Sequence, residues 1–276
     1  MALFLFLLPP PADARGGAAA EPATRAGGAL TREEAERFLA QASIIKWKRV
    51  PKGRTEARRA TLSDGRFTHD AQVQTIDVSL PLFKMGEHVE KDFKDSYKFN
   101  IAAYRLDRLL SLNMTPVSVY RVVRGKPAAV TWWVDGVWMD ELERRRANRQ
   151  PPDRESWEAY MCNIRVFDQL IANRDRNQEN LLITGDWRVW MIDHTRAFRD
   201  SPAIREPAEL LGIDPDVLQA LRGLTEERVK EQLGDFLTGR ELSALLSRRG
   251  QIVRIFDRLI AEQGARAIFT PLPEHR

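Results

Sequence analysis

From Thr31 onward the chain runs through two hydrophobic rhythms. "TREE" at 31–34 is a capping box: Thr31 reaches forward, Glu34 reaches back, and apolar Phe38 and Leu39 follow. Period-two runs come next: SIIKWKRV (43–50), RRATL (58–62) after a turn at Gly53, and AQVQTIDV (71–78) after the SDG turn at 63–65. The period then becomes helical. Phe99, Ala102, Ala103, Leu106, Leu109 and Leu110 fall on one stripe, which predicts a helix over 95–112 with Asp95 or Ser96 as its cap. VSVYRVV (117–123) and AAVTWWV (128–134) flank RGKP and read as a hairpin.

Beyond Val134-Asp135-Gly136 the pattern becomes mostly helical. A charged helix is expected at about 139–148, then a longer one with Trp157, Tyr160, Met161, Ile164, Phe167 and Ile171 on one side. A loop, the strand LLIT, a Gly185-Asp186 turn and the strand VWMI lead to Asp193, and nearly everything after Glu206 has helical periodicity. The expected class is α+β in two lobes. A small antiparallel sheet with one helix spans 31–136, and a mainly helical lobe spans 137–270.

A length of 276 residues is ample for two such lobes. Charged residues make up 30%, yet the net charge is only +4 with both signs interleaved, which argues against a nucleic-acid binder. Cys162 is the sole cysteine, so intrachain disulfides and cysteine-based zinc sites are excluded. His69, His88, His194 and His275 show no metal-ligand spacing.

The first thirty residues are different material. Ala2 to Leu8 are apolar, Ala12 and Ala14 form an Ala-x-Ala step, and a Gly/Ala-rich stretch follows. This reads as a secretory signal peptide, and hence a secreted or periplasmic protein, although the segment lacks a basic start. A disordered leader on a cytoplasmic protein is the other reading. No later stretch is long enough to span a membrane.

Candidate chemistry concentrates in NRDRNQENLLITGDWRVWMIDHTRAF (173–198). Asp175, Asn180 and Asp193 are oxygen-bearing side chains separated by a short loop and a hairpin, a spacing that can gather three oxygens around one divalent cation. The plainer alternative is that Asp175 and Asn180 only stabilise a turn. In wording and in order of elements the segment resembles the catalytic core of the atypical protein-kinase-like families: phosphoinositide lipid kinases, secretory-pathway Golgi kinases and HipA-type kinases. The resemblance implies ATP and Mg²⁺ or Mn²⁺. It makes Asp175 the group that orients or deprotonates an attacking hydroxyl, and Asn180 and Asp193 the metal ligands.

The chain also departs from that pattern. It has no G-x-G-x-x-G loop, and amides stand where the family's Lys–Glu pair belongs: Gln74 at the end of the third strand and Asn100 in the helix. Either the two amides hydrogen-bond as a neutral replacement, or both are surface residues. Trp133, in the connection between lobes, is the candidate to face the nucleotide base. Arg176, Arg196 and the cations Lys52, Arg54, Arg58 and Arg59 are candidates for the phosphates. The run Arg144–Arg146 reads as a solvated face. Three functions fit the resemblance: phosphoryl transfer from ATP to a hydroxyl acceptor, a pseudokinase that binds nucleotide or partner without turnover, and nucleotidyl transfer.

Overall fold

The computed structural model describes residues 30–48, 57–86 and 88–273. The leader, the Gly53 turn, Lys52, Arg54 and His275 lie outside them.

Helix α1 (Arg32–Gln41) opens the described chain with the expected capping box: Thr31 accepts from the Glu34 amide, and Glu34 accepts from the Thr31 amide. Five strands, β1 (Ser43–Lys48), β2 (Arg58–Ser63), β3 (Thr68–Gln74), β6 (Ser118–Val123) and β7 (Lys126–Trp132), form an antiparallel sheet in the order β1-β2-β3-β7-β6. Side chains alternate across it. One face carries Ala60, Leu62, Ala71, Val73, Ala128 and Val130, and α1 covers it with Phe38, Leu39 and Ala42. Phe38 meets Phe67 and Trp132 edge-on, so truncating it to Ala costs about 3–5 kcal/mol. The other face is polar and turns toward the rest of the molecule.

Between β3 and the helix stands a hairpin, β4 (Asp77–Met85) and β5 (His88–Ser96), which pairs with no other strand. The run expected at 71–78 is therefore broken at Thr75-Ile76, and its last two residues begin a second sheet. The helix starts later than expected. Helix α2 spans Lys98–Leu109, and its N-cap, Tyr97, makes no side-chain cap bond. Asp95 and Ser96 are strand residues, because Asp77 pairs with Ser96 and Val78 with Asp95.

Helix α2 lies between the sheet and the helical half. Phe99, Ala103, Leu106 and Leu110 join a second core that includes Ala129 of β7 but is otherwise built mainly from later elements. Those elements include α3 (Glu141–Arg146), α4 (Arg154–Leu170), α5 (Pro215–Gly223), α6 (Glu226–Leu233), α7 (Gly239–Gln263) and α8 (Ala265–Ile268). Arg105 of α2 donates to the Gln232 carbonyl at 2.9 Å and lies over the Phe236 ring. Strands β8 (Val137–Asp140), β9 (Leu181–Thr184) and β10 (Val189–Met191) make a third small sheet. The charged helix thus begins two residues later than 139, because Met139 is held against Ile183 and Asp140 becomes the N-cap.

Two buried charges tie the helical half together. Glu141 is 1% exposed and receives Arg144 and Arg145, both at 2.6 Å. Burial alone would raise its pKa, but these bonds hold the carboxyl below its usual range. Two of the three arginines in the 144–146 run thus have a definite structural task. Arg248 of α7 is fully buried and donates to the carbonyls of Leu170 at 2.8 Å, Arg199 at 3.0 Å and Ser201. Burial brings its pKa down to about 10. Among the described residues no helix is long and apolar enough to cross a membrane.

Candidate active site

The loop after α4 is shaped by its asparagines. Asn173 accepts from the Asp175 amide at 3.1 Å and donates to Asp168 at 2.9 Å, and Asn177 accepts from the Asn180 amide at 3.1 Å. The turn-stabilising bonds expected of Asp175 thus fall to its neighbours. The Asp175 carboxylate is half exposed and takes one bond, from Arg196 Nη1 at 3.1 Å. Asn180 ends a single 3₁₀ turn (Gln178–Asn180) directly before β9, and its Nδ2 contacts the Asp175 carbonyl at 3.5 Å.

Asn180 and Asp193 are brought together by the small sheet. Met191 pairs with Leu181, and the Ile192 amide donates to the Asn180 carbonyl at 3.0 Å. Asp193 follows with φ +56°, a left-handed conformation that Asp tolerates and that occurs often at functional sites. Its carboxyl lies close to two others. Burial pushes its pKa up, and the charges of Asp95 and Asp175 add to the rise against a bond from Thr195. Asp95 is raised too, first by burial.

Arg176 is engaged within the protein. Its Nε and Nη2 both reach Asp168 at 2.9 Å, while Nη1 donates to the carbonyls of Ile192 at 2.9 Å and Asn180 at 3.3 Å. All three nitrogens are committed within the protein. The guanidinium therefore clamps the end of α4 to the residues that carry Asn180 and Asp193.

The two amides meet. Asn100 Nδ2 donates to Gln74 Oε1 at 2.8 Å, and Asn100 Oδ1 accepts the His194 amide at 2.8 Å. All three residues are buried. The neutral pair thus joins the sheet, α2 and the residue next to Asp193. Farther along the same polar face, Arg59 and Lys48 converge on Asp70 at 2.6 and 2.7 Å, and Arg59 lies 4.1 Å over the Trp133 ring. Trp132 points the opposite way, stacked 3.7 Å from His69 beneath α1. Of Trp133 and Trp132, only Trp133 shares the face of Gln74. Arg59 was one of four candidate cations around the first turn, and Lys48 was missed, hidden in the alternation of the first strand.

Arg196 is engaged as well, by Glu90 at 2.6 Å besides Asp175, and Arg199 binds the same Glu90 at 2.5 Å. A cavity of about 540 Å³ lined by Arg165, Asp168, Arg174 and Arg205 lies beside the loop that follows α4. Asp175, Asn180 and Asp193 do not line it.

In three dimensions the chain is similar to solved kinases. It matches hydra Fam20 with sugar at a TM-score of 0.63 and 15% identity, over 86% of this chain and 91% of that one. The Golgi casein kinase with Mn/ADP bound gives 0.61 and 13%, covering 88% and 80%. The Helicobacter pylori proinflammatory kinase CtkA gives 0.50 and 12%, covering 82% and 98%. This is an atypical protein-kinase-like fold. No family model and no curated protein matches the sequence. At such identities the likeness is one of fold, and any chemistry has to be argued from the site.

The donor types of Asn180 and Asp193 suit a divalent cation that shares its shell with phosphate. Among the described residues no three His, Cys, Asp or Glu side chains form a metal cage by themselves. Mg²⁺ does not need one, since it takes one or two carboxylates and completes its shell with water and substrate phosphates. Asp193 and Asn180 offer that set, and a buried Asp95 oxygen without a hydrogen-bond partner lies in the same acidic corner.

Proposed function

We propose that the protein is a metal-dependent phosphotransferase that moves a phosphoryl group from ATP to a hydroxyl acceptor. The observation that carries this reading is the Asp175 carboxylate. It stands free of its own loop's backbone, while Asn180 and Asp193 are stitched together beside it by β9 and β10. A turn needs no such arrangement, and phosphoryl transfer does. The Golgi casein kinase with Mn/ADP bound shares the fold and supports nucleotide and metal binding.

In this reading the nucleotide lies between an N-lobe of residues 31–136 and a C-lobe of residues 137–270. Asn180 and Asp193 would hold Mg²⁺ or Mn²⁺, which would supply positive charge to neutralise the phosphates. Asp175 orients the acceptor hydroxyl and takes its proton. Asn100 and Gln74 position the Asp193–His194 backbone with no net charge. Arg59 and Lys48 supply the positive charge that a strand lysine would otherwise bring, and Trp133 faces the base. Arg176 positions and does not bind phosphate. Catalysis of this kind is mostly positioning and charge neutralisation, so a relocated cation serves.

Calorimetry with ATP under EDTA, Mg²⁺ and Mn²⁺ tests the proposal. Binding should require metal in the wild type and weaken strongly in Asp193→Asn. Absence of binding under every metal overturns it, and tight binding with no phosphate transfer makes the protein a pseudokinase.

A further inference from the structure

One carboxylate in the Asp193 corner has no part in the reading above. Asp95 ends the hairpin just ahead of α2, is 7% exposed, and keeps its Oδ1 without a hydrogen-bond partner. Its place is fixed by the backbone: the Ser96 amide donates to the Thr195 carbonyl at 2.8 Å, laying the end of β5 against the residues that follow Asp193. The Thr195 hydroxyl reaches Asp193 Oδ1 at 3.2 Å and lies near enough to act on the Asp95 carboxyl as well. A hydroxyl carries one hydrogen, so the donor spent on Asp193 cannot also satisfy the buried Asp95 oxygen. The neighbouring guanidiniums do not make up the deficit, since Arg196 is drawn to Glu90 and Asp175, and Arg199 to Glu90. A buried carboxylate oxygen in this state is costly unless a cation meets it.

We infer that Asp95 supplies a further carboxylate oxygen to the divalent cation held by Asp193 and Asn180. The inference rests on the phosphotransferase reading and deepens it. With amides at Gln74 and Asn100, the start of α2 brings no helix carboxylate to the cleft, and Asp95, five residues ahead of Asn100, restores one. A dication relieves the repulsion among Asp95, Asp175 and Asp193 in a way that no side chain present does. The competing explanation is that Asp95 serves only as a counter-charge for Arg196, whose Nε is also buried without a partner.

Electron paramagnetic resonance titration of MnCl₂ into the full chain with ADP, alongside melting curves with and without MnCl₂, separates the two. Asp95→Asn and Asp95→Ser should each lose on the order of tenfold to a hundredfold in Mn²⁺ affinity. Their melting temperatures without metal should be no lower than wild type. Unchanged Mn²⁺ affinity in both, with affinity lost in Asp193→Asn, overturns this inference and leaves the phosphotransferase standing. A lower melting point without metal, at full Mn²⁺ affinity, assigns Asp95 to Arg196 and likewise overturns it. Wild-type protein that takes up no Mn²⁺ with ADP overturns both.

Discussion

Asn100 holds the backbone of His194: its side-chain oxygen accepts the His194 amide at 2.8 Å, while its nitrogen donates to Gln74 at the same distance. One buried amide therefore sets the height of Asp193 relative to the sheet. Asn100→Ala leaves the buried His194 N–H short of a partner, at about 1–3 kcal/mol, and removes the bond to Gln74. Chemical denaturation of the single variants and of Asn100→Ala/Gln74→Ala should give a coupling energy of about 0.5–3 kcal/mol. Strict additivity would show that the two amides act separately.

Arg176→Ala strips Asp168 of a buried counter-ion and should destabilise the fold by about 3–5 kcal/mol. Arg176→Lys keeps the charge but loses the fork, so it should melt between the two. The reading of Arg176 as a clamp fails if either variant keeps wild-type stability and loses only nucleotide affinity.

Asp175→Asn keeps shape and polarity and gives up the ability to accept a proton. It should bind metal–ATP as wild type does and lower the transfer rate by about 10²–10⁴-fold. Rapid-quench measurement of phosphate transfer checks this. An unchanged rate would remove Asp175 from the chemistry.

Asp70, which holds Arg59 and Lys48, gives a pH signature of its own. Burial works to raise its carboxyl, but bonds from Lys48, Thr61 and Arg59 hold it below the usual aspartate range. A folded pKa below the unfolded one contributes stability above the unfolded value, and that stability is lost as pH falls through the folded value. The wild type should therefore lose stability below about pH 4 more steeply than Asp70→Asn. Denaturant midpoints measured from pH 5 down to pH 2.5 test it; parallel curves would show that the three bonds add nothing.

What could be read in the sequence was whatever buries a periodic face. Helix α1 announced itself through Thr31 and Glu34, and α2 through its stripe, whereas the pairing of Asn100 with Gln74 was suggested by the family resemblance and stood beside the alternative that both are surface residues. The hairpin β4–β5 gave no such signal. Val78, Leu80, Leu82 and Val89 are exposed, and Pro81 interrupts the run, so no buried face imposes a period of two. Asp95 and Ser96 look like a helix cap in one dimension because both residue types cap helices well. Most of their bonds go to Val78, Asp77 and Thr195, the last a hundred residues away, although Ser96 Oγ also accepts the Lys98 amide at 3.3 Å at the start of α2. The role of Arg176 was hidden for the same reason: Asp168 precedes it on a helix, and only the folded loop turns the two toward each other.

Arg248 carries a consequence for control. From inside α7 it grips the carbonyls of Arg199 and Ser201, while Arg199 holds the hairpin through Glu90 and the Asp92 carbonyl at 2.8 Å. The stretch after Asp193 is thus riveted at both ends, with His194, Thr195, Ala197, Phe198 and Arg199 buried. Swinging it out would break a buried cation from its acceptors and expose an aromatic side chain, so this stretch is poorly suited to act as a latch. The phosphotransferase proposed above would, built this way, stand permanently cocked, and its output would follow the supply of nucleotide, metal and acceptor.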